Sequence, residues 1–302
     1  MKLLNCSSKK LLVLIFFNSL FSTTLMLTGC SNEFEEKLNS ARLSAKNGNY
    51  EKALKIYNEA IRLNDKHAIS YNNRGLVKFK LGEYAEAVID FNKAILINKN
   101  FVSAYINRGL AFNNLQRYDD AIRDYDEAIK IDQKSAKAYN DRGVAQFNKG
   151  DTDKALADFN KALEIKPKFA EALDNRGLFY SNKKEYEKAI KDFDEAIKIN
   201  PKFAESYNNR GLAQNFLKNY KQAIKDYNRA LRINPNYALA YNNRGLAKFN
   251  LNQNQEALND FQKAIKLKPK FKLAIKNRDY VKEIMKLKKS IKPKVNYNDD
   301  DD

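Results

Sequence analysis

The chain has 302 residues, a formal net charge of +18 and 43% hydrophobic residues, which is enough for a core and too much for wholesale disorder. Ten Gly and five Pro leave little material for the tight turns of a sandwich or barrel and point to helices, over a length that suggests two domains. One His and two Cys are too few for a histidine triad, a His-rich metal site or a disulfide framework.

The N-terminus opens with Lys2, Lys9 and Lys10 and no acids, then an apolar run from Leu11 to Phe17, a polar nick at Asn18 and Ser19, and a second run from Leu20 to Leu27. Its length is that of a signal peptide, and the nick weakens it as a spanning helix. The run ends in Leu27-Thr28-Gly29-Cys30, which resembles the bacterial lipobox. That resemblance implies cleavage after Gly29 (signal peptide 1–29) and lipid on Cys30, with two or more acyl chains giving firm anchoring. The alternative is an uncleaved N-terminal anchor with an incidental Cys. By the same resemblance, Ser31 implies the outer membrane where one exists, and an extracytoplasmic place in the cell envelope. Cys6 leaves with the signal and Cys30 becomes a thioether, so no free thiol is expected in the mature chain.

From Phe34 onward a period of 34 residues organises the chain, as stacked supersecondary units do. Asn-Arg-Gly recurs at Gly75, Gly109, Gly177, Gly211 and Gly245, with Asp-Arg-Gly at Gly143. We number each repeat 1 to 34, with repeats starting at Phe34, Ala68, Val102, Ala136, Ala170, Ala204 and Ala238. The glycine is then position 8, replaced by Ala41 in the first repeat. Positions 20 and 27 are Ala in all seven repeats, from Ala53 and Ala60 to Ala257 and Ala264. Position 24 is always aromatic (Tyr57, Phe91, Tyr125, Phe159, Phe193, Tyr227, Phe261). Spacings of four and three put small, aromatic and small groups on one helical face, so two helices can approach closely with the ring filling the gap. Pro167, Pro201, Pro235 and Pro269 end second helices, and Gly48, Gly82 and Gly150 sit between the two helices.

This pattern resembles the tetratricopeptide repeat over residues 34–271. The resemblance implies an all-α, right-handed α-solenoid of seven helix-turn-helix repeats, spanning 30–271. Two departures from the family pattern stand out: position 4 is Tyr or Leu rather than Trp, and position 7 is Arg rather than Leu from the second repeat on. Those arginines (Arg74, Arg108, Arg142, Arg176, Arg210, Arg244) accompany aspartates at position 23 (Asp90, Asp124, Asp158, Asp192, Asp226, Asp260). The first repeat has Ser40 and Ile56 and lacks both, so the joint loss predicts an Arg–Asp ladder joining first and second helices. Two unrelated surface charges are the rival reading. Arg278 has no such Asp in its own segment, which leaves open whether each arginine reaches its own repeat or the preceding one.

In tetratricopeptide arrays the first helices line a concave groove, with positions 2, 5, 6, 9, 12 and 13 turned into it. Carried over, these positions give Asn72, Asn73, Asn107, Asn140, Asn175, Asn208, Asn209, Asn242 and Asn243, with Phe79, Phe147 and Phe249 as apolar pockets. Amide side chains offer a donor and an acceptor together and match a peptide unit, so a ladder of them suits an extended polypeptide. The pattern is similar to the asparagine ladder in the repeat domain of the eukaryotic N-acetylglucosamine transferase. It is unlike the basic clamp of chaperone cofactors, since groove cations are mainly Lys80 and Lys137. The rival reading is that Asn merely tolerates a wet, crowded surface in an Asn-rich chain.

After Phe271 the pattern breaks. Leu273, Val281, Ile284, Leu287 and Ile291 predict one amphipathic capping helix over 272–292, followed by a disordered acidic tail over 293–302. Residues 263–294 hold thirteen Lys/Arg against two acids. Such a patch suits an anionic lipid or envelope polymer; the export signal argues against nucleic acid, and biased composition is the bland alternative. No phosphate loop, H-E-x-x-H or G-x-S-x-G occurs, His67 sits at a repeat boundary, and Asp141 and Asp174 lack an acid–base partner pattern. The expectation is therefore a membrane-tethered adaptor for protein or peptide clients, with no enzyme activity, cofactor or metal.

Overall fold

The computed structural model describes residues 20–290, with side chains from residue 32 onward apart from 289. The apolar segment before Leu20 and the acidic tail, both assigned from sequence, lie outside the described residues. Among the described residues there are fifteen helices and no strands. They fall into two compact units that part between Ile165 and Lys166.

The N-terminal unit contains α1 (Leu20–Lys46), α2 (Tyr50–Leu63), α3 (Ala68–Lys80), α4 (Tyr84–Ile97), α5 (Val102–Asn114), α6 (Tyr118–Ile131), α7 (Ala136–Lys149) and α8 (Thr152–Ile165). The C-terminal unit contains α9 (Ala170–Asn182), α10 (Tyr186–Ile199), α11 (Ala204–Phe216), α12 (Tyr220–Ile233), α13 (Ala238–Asn250), α14 (Asn254–Leu267) and α15 (Lys272–Ser290). Within each unit, every helix packs on the next along the chain, giving a solenoid-like stack of antiparallel hairpins. The backbone of α1 runs through Gly29 and Cys30 without a break. No described helix is long and apolar enough to cross a membrane.

Each hairpin closes on the residues that repeat most strictly. Ala189, Phe193 and Ala196 on α10 are completely buried against α9, and a Cβ added at Gly177 would lie 2.6 Å from Phe193 Cε1. The ring of position 24 therefore occupies the space of the missing side chain at position 8. The turn between the helices needs a left-handed residue at position 15. Gly48, Gly82 and Gly150 supply it without strain, whereas Gln116, Lys184, Lys218 and Asn252 adopt the same positive φ with a side chain attached. At the other end of the hairpin, in five of the seven repeats, Asn or Asp at position 31 accepts a hydrogen bond from the backbone N–H two residues on, as Asn98 does from Asn100 at 3.0 Å.

Stacking of one hairpin on the next uses two positions that the sequence reading passed over. From the second repeat on, position 3 is Ser or Ala and position 10 is usually Ala. Ala138 and Ala145 on α7 are fully buried in the cluster formed by Ala121, Tyr125 and Ala128 of α6. Small side chains there admit the preceding second helix as closely as Gly admits the following one. The last helix follows the same rule: Ala274 and Val281 occupy these positions on α15 and are buried on α14. The buried face is thus Ala274 and Val281, with Met285 half-buried beside Val281. Leu273 and Leu287, predicted to share the stripe with Val281, are exposed.

Candidate functional site

Two polar seams run through each unit. The first is the arginine seam. Arg108 Nε and Nη2 donate to Asp124 Oδ2 and Oδ1 at 2.8 and 2.5 Å, and Arg74–Asp90, Arg142–Asp158, Arg176–Asp192, Arg210–Asp226 and Arg244–Asp260 repeat this two-pronged contact. Every one of these carboxylates belongs to the arginine's own repeat. The third nitrogen reaches the preceding repeat at position 25: Arg74 Nη1 to Asn58, Arg108 to Asn92, Arg142 to Asp126, Arg210 to Asp194 and Arg244 to Asn228, all at 2.5–2.7 Å. One planar guanidinium therefore ties three helices together, which a lysine could not do. The tyrosine at position 4 stacks beneath it, with the Arg244 guanidinium carbon 5.3 Å from the Tyr241 ring centre. Positions 4 and 7, the two departures from the family pattern, are thus one device. Burial pushes the carboxyls of Asp124 and Asp226 above their ordinary value despite the arginines beside them, while the hydrogen bonds that Arg142 donates to Asp158 hold it more firmly charged than usual.

The second seam is the asparagine ladder, and here the structure corrects the sequence reading. Asn72, Asn140, Asn208 and Asn242 at position 5 are buried, as is Asn243. In the N-terminal unit Asn107 Nδ2 donates to Asn72 Oδ1 at 2.9 Å, and Asn72 Nδ2 in turn reaches Asn73. In the C-terminal unit Asn243 donates to Asn208 at 3.0 Å and Asn277 to Asn242 at 2.9 Å. The amides of successive first helices satisfy one another across the repeat junction, so they are stacking contacts and not open peptide receptors. Asn73, Asn107, Asn175 and Asn209 remain half-buried. Position 5 of the fifth repeat is Asp174, 5% exposed, accepting from Ser206 Oγ at 2.7 Å and Asn209 Nδ2 at 3.2 Å. Burial pushes its carboxyl up to about 6, and Glu205 and Glu171 add to the shift.

The two units differ in the large apolar groups their first helices leave open. In the C-terminal unit Leu178, Phe216, Leu239, Leu273 and Tyr280 are exposed at positions 2, 9 and 13, with Phe216 stacked flat on Tyr186 at 5.1 Å and Phe249 packed edgewise on Tyr280 at 5.7 Å. In the N-terminal unit the first-helix face offers Ile69, while Phe79 and Phe147 are half-buried. The exposed anchors vary from repeat to repeat, so periodicity hides most of them; Phe216, at position 13, stands at a position the sequence reading turns into the groove. Two buried oxygens on this face of the C-terminal unit, Ser181 Oγ and Asn215 Oδ1, have no protein partner. His67 packs edge-on against Phe34 at 5.0 Å and pairs through Nδ1 with Ser70 Oγ, a structural position. Among the described residues no group of three or more His, Cys, Asp or Glu is placed to hold a metal.

A family model described as "Tetratricopeptide repeat" matches residues 68–101, 136–169, 170–203, 204–237 and 238–271, and a second model, "TPR repeat", matches 42–82 and 111–150. The chain belongs to the tetratricopeptide repeat family. As a tetratricopeptide repeat fold it is consistent with a protein–protein interaction scaffold. Among solved structures it is similar to a chain of the Cut9–Hcn1 hetero-tetramer of the APC/C, with a TM-score of 0.71, 20% identity and 80% of this chain covered. It spans 48% of that chain. It is also similar to a tetratricopeptide repeat protein from Parabacteroides merdae, with a TM-score of 0.66, 19% identity, and 83% of this chain and 99% of that chain covered. At these identities the likeness is one of fold. No curated protein matches the chain.

Proposed function

We propose that the protein is an exported, lipid-anchored adaptor whose first-helix face holds a client polypeptide through apolar anchors. The observation that carries this reading is the set of exposed side chains Leu178, Phe216, Leu239, Leu273 and Tyr280 in the C-terminal unit, gathered on first helices. Large apolar groups held on rigid helices are what hot spots are made of, since they bury area without much loss of side-chain freedom. Glu171 and Glu205 stand exposed on the same helices at position 2 and would favour a client with cationic groups beside its apolar ones. The lipid on Cys30 and the extracytoplasmic address rest on the order of charged, apolar and Leu-Thr-Gly-Cys segments in the sequence.

The test is capture from crosslinked cells with the full chain as bait. A client recovered by the unaltered protein should be lost with Leu178→Asp combined with Phe216→Asp, at unchanged helicity. Equal recovery by that variant would contradict the reading. Cys30→Ser should move the protein out of the membrane fraction; unchanged fractionation would sink the anchor.

A second reading is favoured by one observation: Lys268, Lys270, Lys272, Lys276, Lys282, Lys286 and Lys288 are all exposed at the C-terminal end of the described residues. Such a cluster would attract an anionic envelope polymer or lipid, with binding that weakens steeply as salt rises.

A further inference from the structure

The two most exposed large apolar side chains among the described residues are Ile89 and Leu96, at 65% and 72%. Both lie on α4, seven residues apart, so they project from one face about 10 Å from each other. They occupy positions 22 and 29, and both break the repeat. Position 29 is charged in every other repeat (Arg62, Lys130, Glu164, Lys198, Arg232, Lys266), and position 22 is Lys or Arg in four of them (Lys55, Arg123, Lys191, Lys225). Along positions 18, 22, 25 and 29, α4 carries Ala85, Ile89, Asn92 and Leu96, and it alone of the second helices has no charge on that stripe. Packing does not ask for these side chains, since the other repeats form the same hairpin without them. The surroundings are cationic. The hairpins before and after place Lys55 and Arg62 on α2, and Arg123 and Lys130 on α6, at the same two positions. Lys55, Arg62, Lys93 and Lys99 are exposed and have no carboxylate within salt-bridge distance among the described residues. The acids nearby are mostly answered already: Glu59 by Lys37, Asp119 by Lys149, Asp120 by Arg117 and Arg123, Asp126 by Arg142, and Glu127 by Lys130.

We propose that this second-helix face of the N-terminal unit lies on an anionic lipid bilayer, with Ile89 and Leu96 entering the headgroup boundary and Lys55, Arg62, Lys93 and Lys99 meeting lipid phosphates. Aliphatic groups inside an open cationic rim suit such a surface, because shallow burial of apolar area adds to the attraction between cations and anionic headgroups. A second copy of the chain fits less well. A two-fold contact through α4 presents the same patch from both sides, and so sets the cations at positions 22 and 29 of the flanking helices against their own kind. The segment that carries Cys30 is part of α1 in this same unit, so a lipid there would hold this unit at a bilayer, although the contact itself needs no anchor. The face is also separate from the apolar anchors on the first helices of the C-terminal unit, so either assignment can fail alone.

The experiment measures partition of the full, unlipidated chain onto phosphatidylglycerol vesicles by sedimentation, beside Ile89→Lys combined with Leu96→Lys. That variant installs the kind of residue other repeats carry at these positions, so helicity and melting temperature should hold. It also adds positive charge. Attraction by charge alone would therefore tighten its binding, whereas loss of the aliphatic contact should weaken it about tenfold or more. The N-terminal apolar run and the lysines of α15 are the same in both chains and cancel in the ratio. In the vesicle-bound unaltered chain, a lipid-borne spin label should broaden the methyl signals of Ile89 and Leu96. Equal or tighter binding by the variant, or unbroadened signals at Ile89 and Leu96, would overturn the assignment. So would a dimer in lipid-free solution that the variant dissolves, which names a second copy as the occupant. Leu178→Asp combined with Phe216→Asp should leave the partition unchanged, and because the chain is unlipidated the result does not depend on the anchor at Cys30.

Discussion

The two seams join the same repeats by opposite means. The arginine seam carries full charges, and each carboxylate meets a guanidinium with two hydrogen bonds, as Asp158 meets Arg142. The asparagine seam is neutral and buried, each amide donating to the next, as Asn107 does to Asn72. At Asp174 a charge enters the neutral seam with only a hydroxyl and an amide to meet it. Burial disfavours charge in both seams, but most where only neutral donors meet it, as at Asp174.

The largest expected effect breaks the charged seam. Arg142→Ala should cost about 3 kcal/mol, because it leaves Asp158 buried without its cation. Arg142→Ala combined with Asp158→Ala should cost less than the single change. Urea unfolding of the three proteins measures both; a double variant that loses the sum of two single losses would mean no coupling.

The next change relieves the neutral seam. Asp174→Asn should stabilise the C-terminal unit by about 2 kcal/mol at pH 7.5. The sign follows from a folded-state pKa of about 6, above the ordinary value of 3.8. The raised value means that the folded chain holds this proton more tightly than the unfolded chain. The benefit is complete below about pH 4 and is lost as pH rises through about 6. Melting curves should therefore show the gain of Asp174→Asn shrinking as pH falls from 7 to 4. A constant gain across that range would contradict the account.

Tyr227→Phe is the uncharged counterpart. The Tyr227 hydroxyl is buried without a protein partner, while Phe fills the same position in four other repeats. Removing it should add about 1 kcal/mol. Lys218→Gly touches neither seam and relieves only the left-handed turn (φ 62°), for a gain of about 0.5–1 kcal/mol. Both are read from chemical denaturation.

The sequence makes the hairpin plain, because its close contacts demand a small residue (Gly, or Ala41 in the first repeat), Ala and an aromatic ring at fixed positions. The Arg–Asp pairing was legible from the joint absence at Ser40 and Ile56. Its full geometry was not, because the link to the preceding repeat passes through position 25, where Asn and Asp alternate and look like ordinary surface residues. The asparagines were visible as a ladder but not their direction. A side chain facing the next first helix and one facing solvent recur with the same period, and only the distance between Asn107 and Asn72 separates the two cases. Exposed anchors such as Leu178 and Leu239 escaped because repetition singles out what the fold needs, whereas recognition falls on positions free to differ.

The central claim is that recognition belongs to the apolar side chains of the first helices. It is tested most directly by placing a photo-crosslinking residue singly at Phe216, Leu239, Lys191 and Lys225 in the full chain in cells. The account predicts crosslinks to a client from Phe216 and Leu239, on first helices, and none from Lys191 and Lys225, which are exposed on second helices. Crosslinks from the lysine positions with none from Phe216 and Leu239 would contradict it.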